Sequence, residues 1–273
     1  MSEPVLSGWQ LDLATVRERF PLTTYEVLGS EWRVRDTSNL SGTERPTLIL
    51  LPGSLGSADI FFKQMLALGT EFRCLAVDYP SGSSVELADG LAALMDQLDL
   101  QRVCVLGSSL AGYWLQWFGV KHPSRLTCVA LCSAFADGSG LSTNPLFNRQ
   151  SLASREAAEI KNEWLLRLAE RSADDLRDVL LELLTYTQNG DSLKGRLLHA
   201  ANALPAPMID PSVPVALVAC ADDPLINTTT RRELSARYPD AFRLTLPTGG
   251  HYPHILQADV FTAFVKSVCA VQR

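Results

Sequence analysis

Hydrophobic positions along the chain follow two alternating rhythms. Short runs rich in Val, Leu, Ile and Ala, at 47–51, 72–78, 102–106, 126–132, 213–221 and 242–246, lack clean polar alternation. Runs of that kind predict strands buried on both faces, the habit of a parallel sheet covered by helices. Between them, apolar residues at three- and four-residue spacing predict helices over 59–68, 85–98, 110–121, 228–238 and 254–271. A hairpin is expected ahead of this series, pairing 22–27 with 31–35 and turning at Gly29 and Ser30. The pattern is that of an α/β fold with a mostly parallel central sheet flanked by helices.

The alternation breaks once, after Ala134. The next stretch is too long for a plain loop, and Leu, Ile, Trp and Ala recur at helical spacing over 151–171, 173–186 and 192–203. It reads as a helical cap inserted over 137–207, entered through Gly138, Ser139 and Gly140 and left through Pro205, Pro207 and Pro211. Residues 1–136 and 208–273 would then form one core.

Composition narrows the function classes. The 273 residues carry 24 Lys and Arg against 30 Asp and Glu, a net charge of -6, and offer no basic stripe to displace counterions from nucleic acid. Residues 1–20 mix acidic and basic side chains and lack the basic leader and apolar stretch of a secretory signal. No apolar run approaches the ~20 residues of a bilayer span, so a cytoplasmic protein is expected. The six cysteines include no CxxC, and no Cys/His cluster has zinc-like spacing. They are expected reduced and mostly buried, with no metal and no cofactor.

The residues that carry chemistry begin at the strand 102–106. It runs into Gly107-Ser108-Ser109-Leu110-Ala111-Gly112 and then directly into an apolar helix. A hydroxyl becomes a useful nucleophile when a tight turn exposes it to a base, and small neighbours let that turn close. Ser109 is the central residue of this pattern and Ser108 its variable neighbour. Chain order then calls for an acid and a histidine, each beyond a later strand. Asp222-Asp223-Pro224-Leu225-Ile226 follows one strand and Thr248-Gly249-Gly250-His251 the other. Asp223 is the chosen acid, with Asp222 read as a loop or helix-N-terminal charge that takes over if the turn is shifted. His254, three residues on, is read as opening the last helix.

Ser109, Asp223 and His251 together would form a catalytic triad. Its oxyanion hole would use the Leu110 N–H and a donor from the loop Pro52-Gly53-Ser54-Leu55-Gly56-Ser57, Ser54 first and Leu55 second. Leu55, Phe147 and Trp164 are the candidate substrate contacts, with Leu141, Leu146 and Tyr186 as further apolar candidates; helix packing alone would also bury such residues. Arg149, Arg155, Lys161 and Arg167 are cap cations that could meet a carboxylate or form a solvated face.

These motifs resemble the α/β-hydrolase superfamily over nearly the whole chain. Within it, Leu48 to Pro52, Gly56 to Gln64, Ala76 to Pro80, Tyr238 to Ala241 and Thr248 to Gly250 resemble the maspardins, Pro52 included, where most of the superfamily has His-Gly. The superfamily resemblance implies esterase-type acyl transfer on a small-molecule carboxylic ester, without a cofactor. The maspardin resemblance implies a non-catalytic scaffold that binds a partner protein or a second copy of itself, since maspardins lack a histidine at the position of His251. Here that histidine is present, and Ala111 stands where Gly is commoner. Hydrolysis or lysis of a C–C bond by the same three residues is the remaining alternative.

Overall fold

The computed structural model describes residues 7–40, 45–142 and 144–270. Its strands are β1 (Thr23–Val27), β2 (Ser30–Asp36), β3 (Thr47–Leu51), β4 (Arg73–Asp78), β5 (Val103–Ser108), β6 (Leu126–Cys132), β7 (Val215–Cys220) and β8 (Phe242–Leu246). They form one sheet in the order β1-β2-β4-β3-β5-β6-β7-β8. The β1/β2 and β2/β4 pairs are antiparallel and all later pairs parallel. The centre of this sheet is deeply apolar: every residue of β5 is buried. The edge strands β1 and β8 expose most of their positions, as strands with one open side can.

The helices are α1 (Gly8–Arg19), α2 (Phe62–Leu68), α3 (Ser84–Gln97), α4 (Leu110–Lys121), α5 (Arg149–Ser154), α6 (Ala157–Ala169), α7 (Asp175–Tyr186), α8 (Gly190–Ala201), α9 (Thr228–Arg237), α10 (Pro253–Leu256) and α11 (Ala258–Ala270). Their starts are written in short polar residues. Asn148, Asp174, Asn189 and Asn227 each accept the N–H three residues on, and Ser83 and Glu86 form a capping box. Such caps each contribute about 1 kcal/mol. Helices α5 to α8 lie between β6 and β7, where the parallel repeat was expected to break.

Four expectations are corrected. Helix α1 was not anticipated; it buries Trp9, Leu13 and Val16, one face at four- and three-residue spacing, and its Arg17 binds the buried Asp59 at 2.7 Å beside Arg35 at 2.5 Å. The hairpin turns at Leu28 and Gly29, both at positive φ (51° and 77°), so Ser30 already belongs to β2, paired with Val27. The helix expected over 151–171 is broken where Arg155 and Glu156 are extended. The last helix is interrupted at Gln257 (φ -127°, ψ 40°), and its expected end, Val271, lies outside the described residues. No helix among the described residues is long and apolar enough to cross a membrane. All six cysteines are free and buried.

Candidate active site

Ser109 sits at the join of β5 and α4 with φ 52° and ψ -115°. A non-glycine residue held there costs about 1–3 kcal/mol, which the surroundings must over-determine. They do so by main-chain bonds and close packing. Ser109 N donates to Cys132 O at 2.8 Å, and Ser109 O accepts from Tyr113 N at 3.0 Å. A Cβ on Gly107 would lie 2.7 Å from the Gly112 nitrogen, and one on Gly112 2.6 Å from Ala134 Cβ. Only hydrogen fits at either place. Ser108 is buried within β5, whereas Ser109 is partly open.

The two acids after β7 have divided tasks. Asp223 accepts the N–H groups of Leu225 and Ile226 at 2.8 and 3.0 Å, which is why Asp-Pro-Leu-Ile makes a rigid turn: Pro224 has no N–H to compete. Its carboxylate faces His251 Nδ1 at 3.0 and 3.1 Å. Burial pushes the Asp223 carboxyl up, but the His251 charge and hydrogen bond and the two N–H donors hold it below the usual carboxylate range. Asp222 instead accepts from Gly249 N at 3.2 Å and Gly250 N at 2.8 Å, the left-handed pair (φ 134° and 54°) that carries His251. His254 lies within α10, with both ring nitrogens buried and unpartnered among the described residues. Burial and the nearby His251 hold its pKa down at about 3.

The loop 52–57 is held through its carbonyls. Tyr79 Oη donates to Pro52 O at 2.7 Å, Gln188 Nε2 to Ser54 O at 2.8 Å and Arg196 Nη1 to Gly56 O at 2.8 Å. Arg196 also donates to Tyr79 O at 2.5 Å and stacks 4.3 Å from the Tyr79 ring centroid. In a planar trans peptide the N–H opposes the C=O, so the bond from Gln188 aims the Leu55 N–H away from Gln188. Gly53 packs directly on the Ser109 turn: a Cβ there would lie 2.9 Å from Ser109 Cβ. Leu110 N–H, in the first turn of α4, has no acceptor within its own helix.

Ser109, Ser54, Leu55, Phe147, Trp164 and His251 all line one cavity of about 20 Å³. No hydrogen bond joins Ser109 Oγ to His251 among the described residues, although both face that space. A larger cavity of about 460 Å³ adjoins it, the two sharing Leu55, Trp164, Leu225, His251 and Tyr252. Of the further apolar candidates, Leu146 lines the larger cavity. Leu141 is buried but lines neither, and Tyr186 is 75% exposed, so it is corrected to a surface residue. Arg149, Arg155 and Lys161 are spent on Ala201 O, on Glu163 and on Gln188 O; of these four cations, Arg167 alone reaches the larger cavity. Among the described residues no group of three or more His, Cys, Asp or Glu side chains is placed to hold a metal ion.

The sequence profile of the Alpha/beta hydrolase family matches residues 48–264. The chain belongs to the α/β hydrolase family. Human maspardin is 30% identical over 230 residues, covering 81% of this chain and 74% of that one, so the maspardin resemblance read from the sequence is borne out. Two solved structures share the fold at 19% identity and a TM-score of 0.74: the enol-lactonase from Burkholderia xenovorans LB400, covering 90% of this chain and 99% of that one, and a thermophilic esterase from Thermogutta terrifontis, covering 91% and 99%.

In this α/β hydrolase, sequence reasoning missed Tyr79, Gln188, Arg196 and Tyr252. The first three act on the loop through backbone carbonyls, and no residue pattern announces such a bond. Tyr252 follows His251 directly and was the one legible from its place.

Proposed function

We propose that this maspardin-like α/β hydrolase is a cytoplasmic serine hydrolase that cleaves a small or medium carboxylic ester through Ser109, His251 and Asp223. The observation that carries this reading is the Asp223–His251 pair, bonded at 3.0 Å and facing the same cavity as the strained Ser109. With Nδ1–H committed to Asp223, the His251 Nε2 lone pair is the free base. Ser109 Oγ attacks the ester carbonyl carbon as its proton passes to Nε2. The carbonyl oxygen, now negative, is received by the Leu110 N–H and by a donor of the loop 52–57, Ser54 or Leu55. Collapse expels the alcohol oxygen, which takes the proton from His251, and leaves an acyl group on Ser109. Water then gives a proton to His251 and attacks that acyl carbon, releasing the acid and restoring the hydroxyl. Catalytic hydrogen bonds of this kind commonly tighten in the substrate complex, where the Ser109–His251 contact would close. In this reading residues 137–207 are a cap over a core of 1–136 and 208–273.

A fluorophosphonate probe should label Ser109, Ser109→Ala should abolish labelling, and p-nitrophenyl acetate or butyrate should be turned over. Absence of labelling on folded protein would overturn the reading. The maspardin likeness favours a second one, a scaffold that binds a partner protein, which predicts no labelling and no turnover. His251, at the position where that resemblance implies no histidine, speaks for catalysis.

A further inference from the structure

The two adjoining cavities differ in size and in what faces them. The one at Ser109 holds about 20 Å³, room for a group the size of a water or a methyl. The other, about 460 Å³, is apolar through Leu146, Trp164, Leu168, Leu176, Leu180 and Leu225. His251, the residue that must protonate a departing oxygen, lines both cavities, whereas Ser109 and Ser54 line only the smaller, so the acyl carbon belongs in the smaller cavity and the leaving alcohol in the larger. Arg171, just beyond the end of α6, lines the same cavity. Among the described residues its guanidinium has no hydrogen-bond or ion-pair partner; only its carbonyl is used, by Arg177. The neighbouring charges are committed elsewhere: Arg167 to Glu163 at 2.6 Å and Asp222 to the Gly249 and Gly250 N–H groups. Burial and the Asp223 charge push the Tyr252 phenol up, and the Arg171 charge pulls it back, so the guanidinium's field reaches the wall the two cavities share.

We propose that the substrate is a short-chain acyl ester, acetyl in size, of an apolar alcohol that carries an anionic group at its far end, and that Arg171 receives that anion. The assignment rests on the hydrolase reading above and adds to it the side of the cleft each half of the ester takes.

The test uses the acetate ester of p-hydroxyphenylpropionate and the acetate ester of the matching carboxamide, two substrates of similar intrinsic reactivity that differ in the distant charge. Arg171 is exposed at the cavity mouth, so the carboxylate should be preferred by up to about fivefold in kcat/KM, the upper end for an exposed ion pair at about 1 kcal/mol. Arg171→Gln should erase the preference, so that the carboxylate-to-carboxamide ratio of kcat/KM falls to about one. p-Nitrophenyl octanoate should be a poorer substrate than p-nitrophenyl acetate. Equal turnover of carboxylate and carboxamide, or a preference for the octanoyl ester, would overturn the inference and leave the hydrolase reading standing. A calorimetric titration with p-hydroxyphenylpropionate separates the two ideas if no ester is turned over. Binding that Arg171→Gln abolishes would then support the anion site without catalysis, and binding indifferent to Arg171, or none, would overturn it.

Discussion

Ser109 and Ser54 face the same small cavity but are held there by opposite means. Ser109 stands on the sheet, fixed by what cannot fit: Gly107 and Gly112 leave no space for even one more carbon, so the turn has a single way to close. Ser54 hangs in a loop, fixed by what reaches it: Gln188, in the connection between α7 and α8, and Arg196, on α8, extend long side chains to the carbonyls of Ser54 and Gly56. Steric exclusion gives a position that barely depends on the rest of the molecule. Hydrogen bonds from long side chains make a position conditional on where their own helices lie. The proposed nucleophile is therefore built in, and the loop proposed to receive the developing negative charge is tied to the stretch between β6 and β7.

The largest effect should come from the built-in half. Ser109→Ala or His251→Ala should lower ester turnover by about a thousandfold or more, while thermal melts show the fold intact; a variant retaining near-normal turnover would remove both residues from the chemistry. Next comes acid. His254 binds a proton only near pH 3 in the fold but near 6.5 unfolded. Below about pH 6.5 the unfolded chain takes up the proton first, so stability is full above that value and falls with pH until about 3. The loss at about pH 4 is on the order of 3 kcal/mol. Urea titrations across pH should show it, and His254→Phe should flatten the acid limb.

Gly112→Ala is a sharper probe of exclusion. The added methyl meets Ala134 Cβ at 2.6 Å and Gly107 O at 2.9 Å, and should cost about 2 kcal/mol together with probe labelling at Ser109; denaturant midpoints read the first and labelling rates the second. The smallest effect distinguishes the other half. Gln188→Ala should slow labelling and turnover about fivefold, one hydrogen bond's worth, through kcat rather than KM. A change in KM alone would place Gln188 in substrate contact instead.

The same contrast explains what could be read from the chain. The buried strands were legible because burial on both faces leaves an uninterrupted apolar run, and the turn at Ser109 because exclusion demands Gly at fixed places. Asp223 could be preferred to Asp222 because its partners, Leu225 and Ile226, are neighbours in sequence. Helix α1 escaped notice because it commits only Trp9, Leu13 and Val16 to the core on an otherwise polar segment. The turn at Leu28 runs against residue preference, since the left-handed region favours Gly or Asn over Leu. Arg196, on α8, and Gln188 and Arg171, in the connections between helices, look like any polar surface residue until the stretch between β6 and β7 is folded.

The carbonyl bonds to the loop 52–57 also bear on engineering. Helices α5 to α8 are all carried between β6 and β7, so a graft between those two strands would exchange them as one piece. Here such a graft would remove Gln188 and Arg196 along with the helices, and Ser54 and Gly56 would lose two of the hands that position them. A chimera that keeps every residue of the sheet should therefore fold and present Ser109 yet work poorly, until a glutamine and an arginine are restored at those two places.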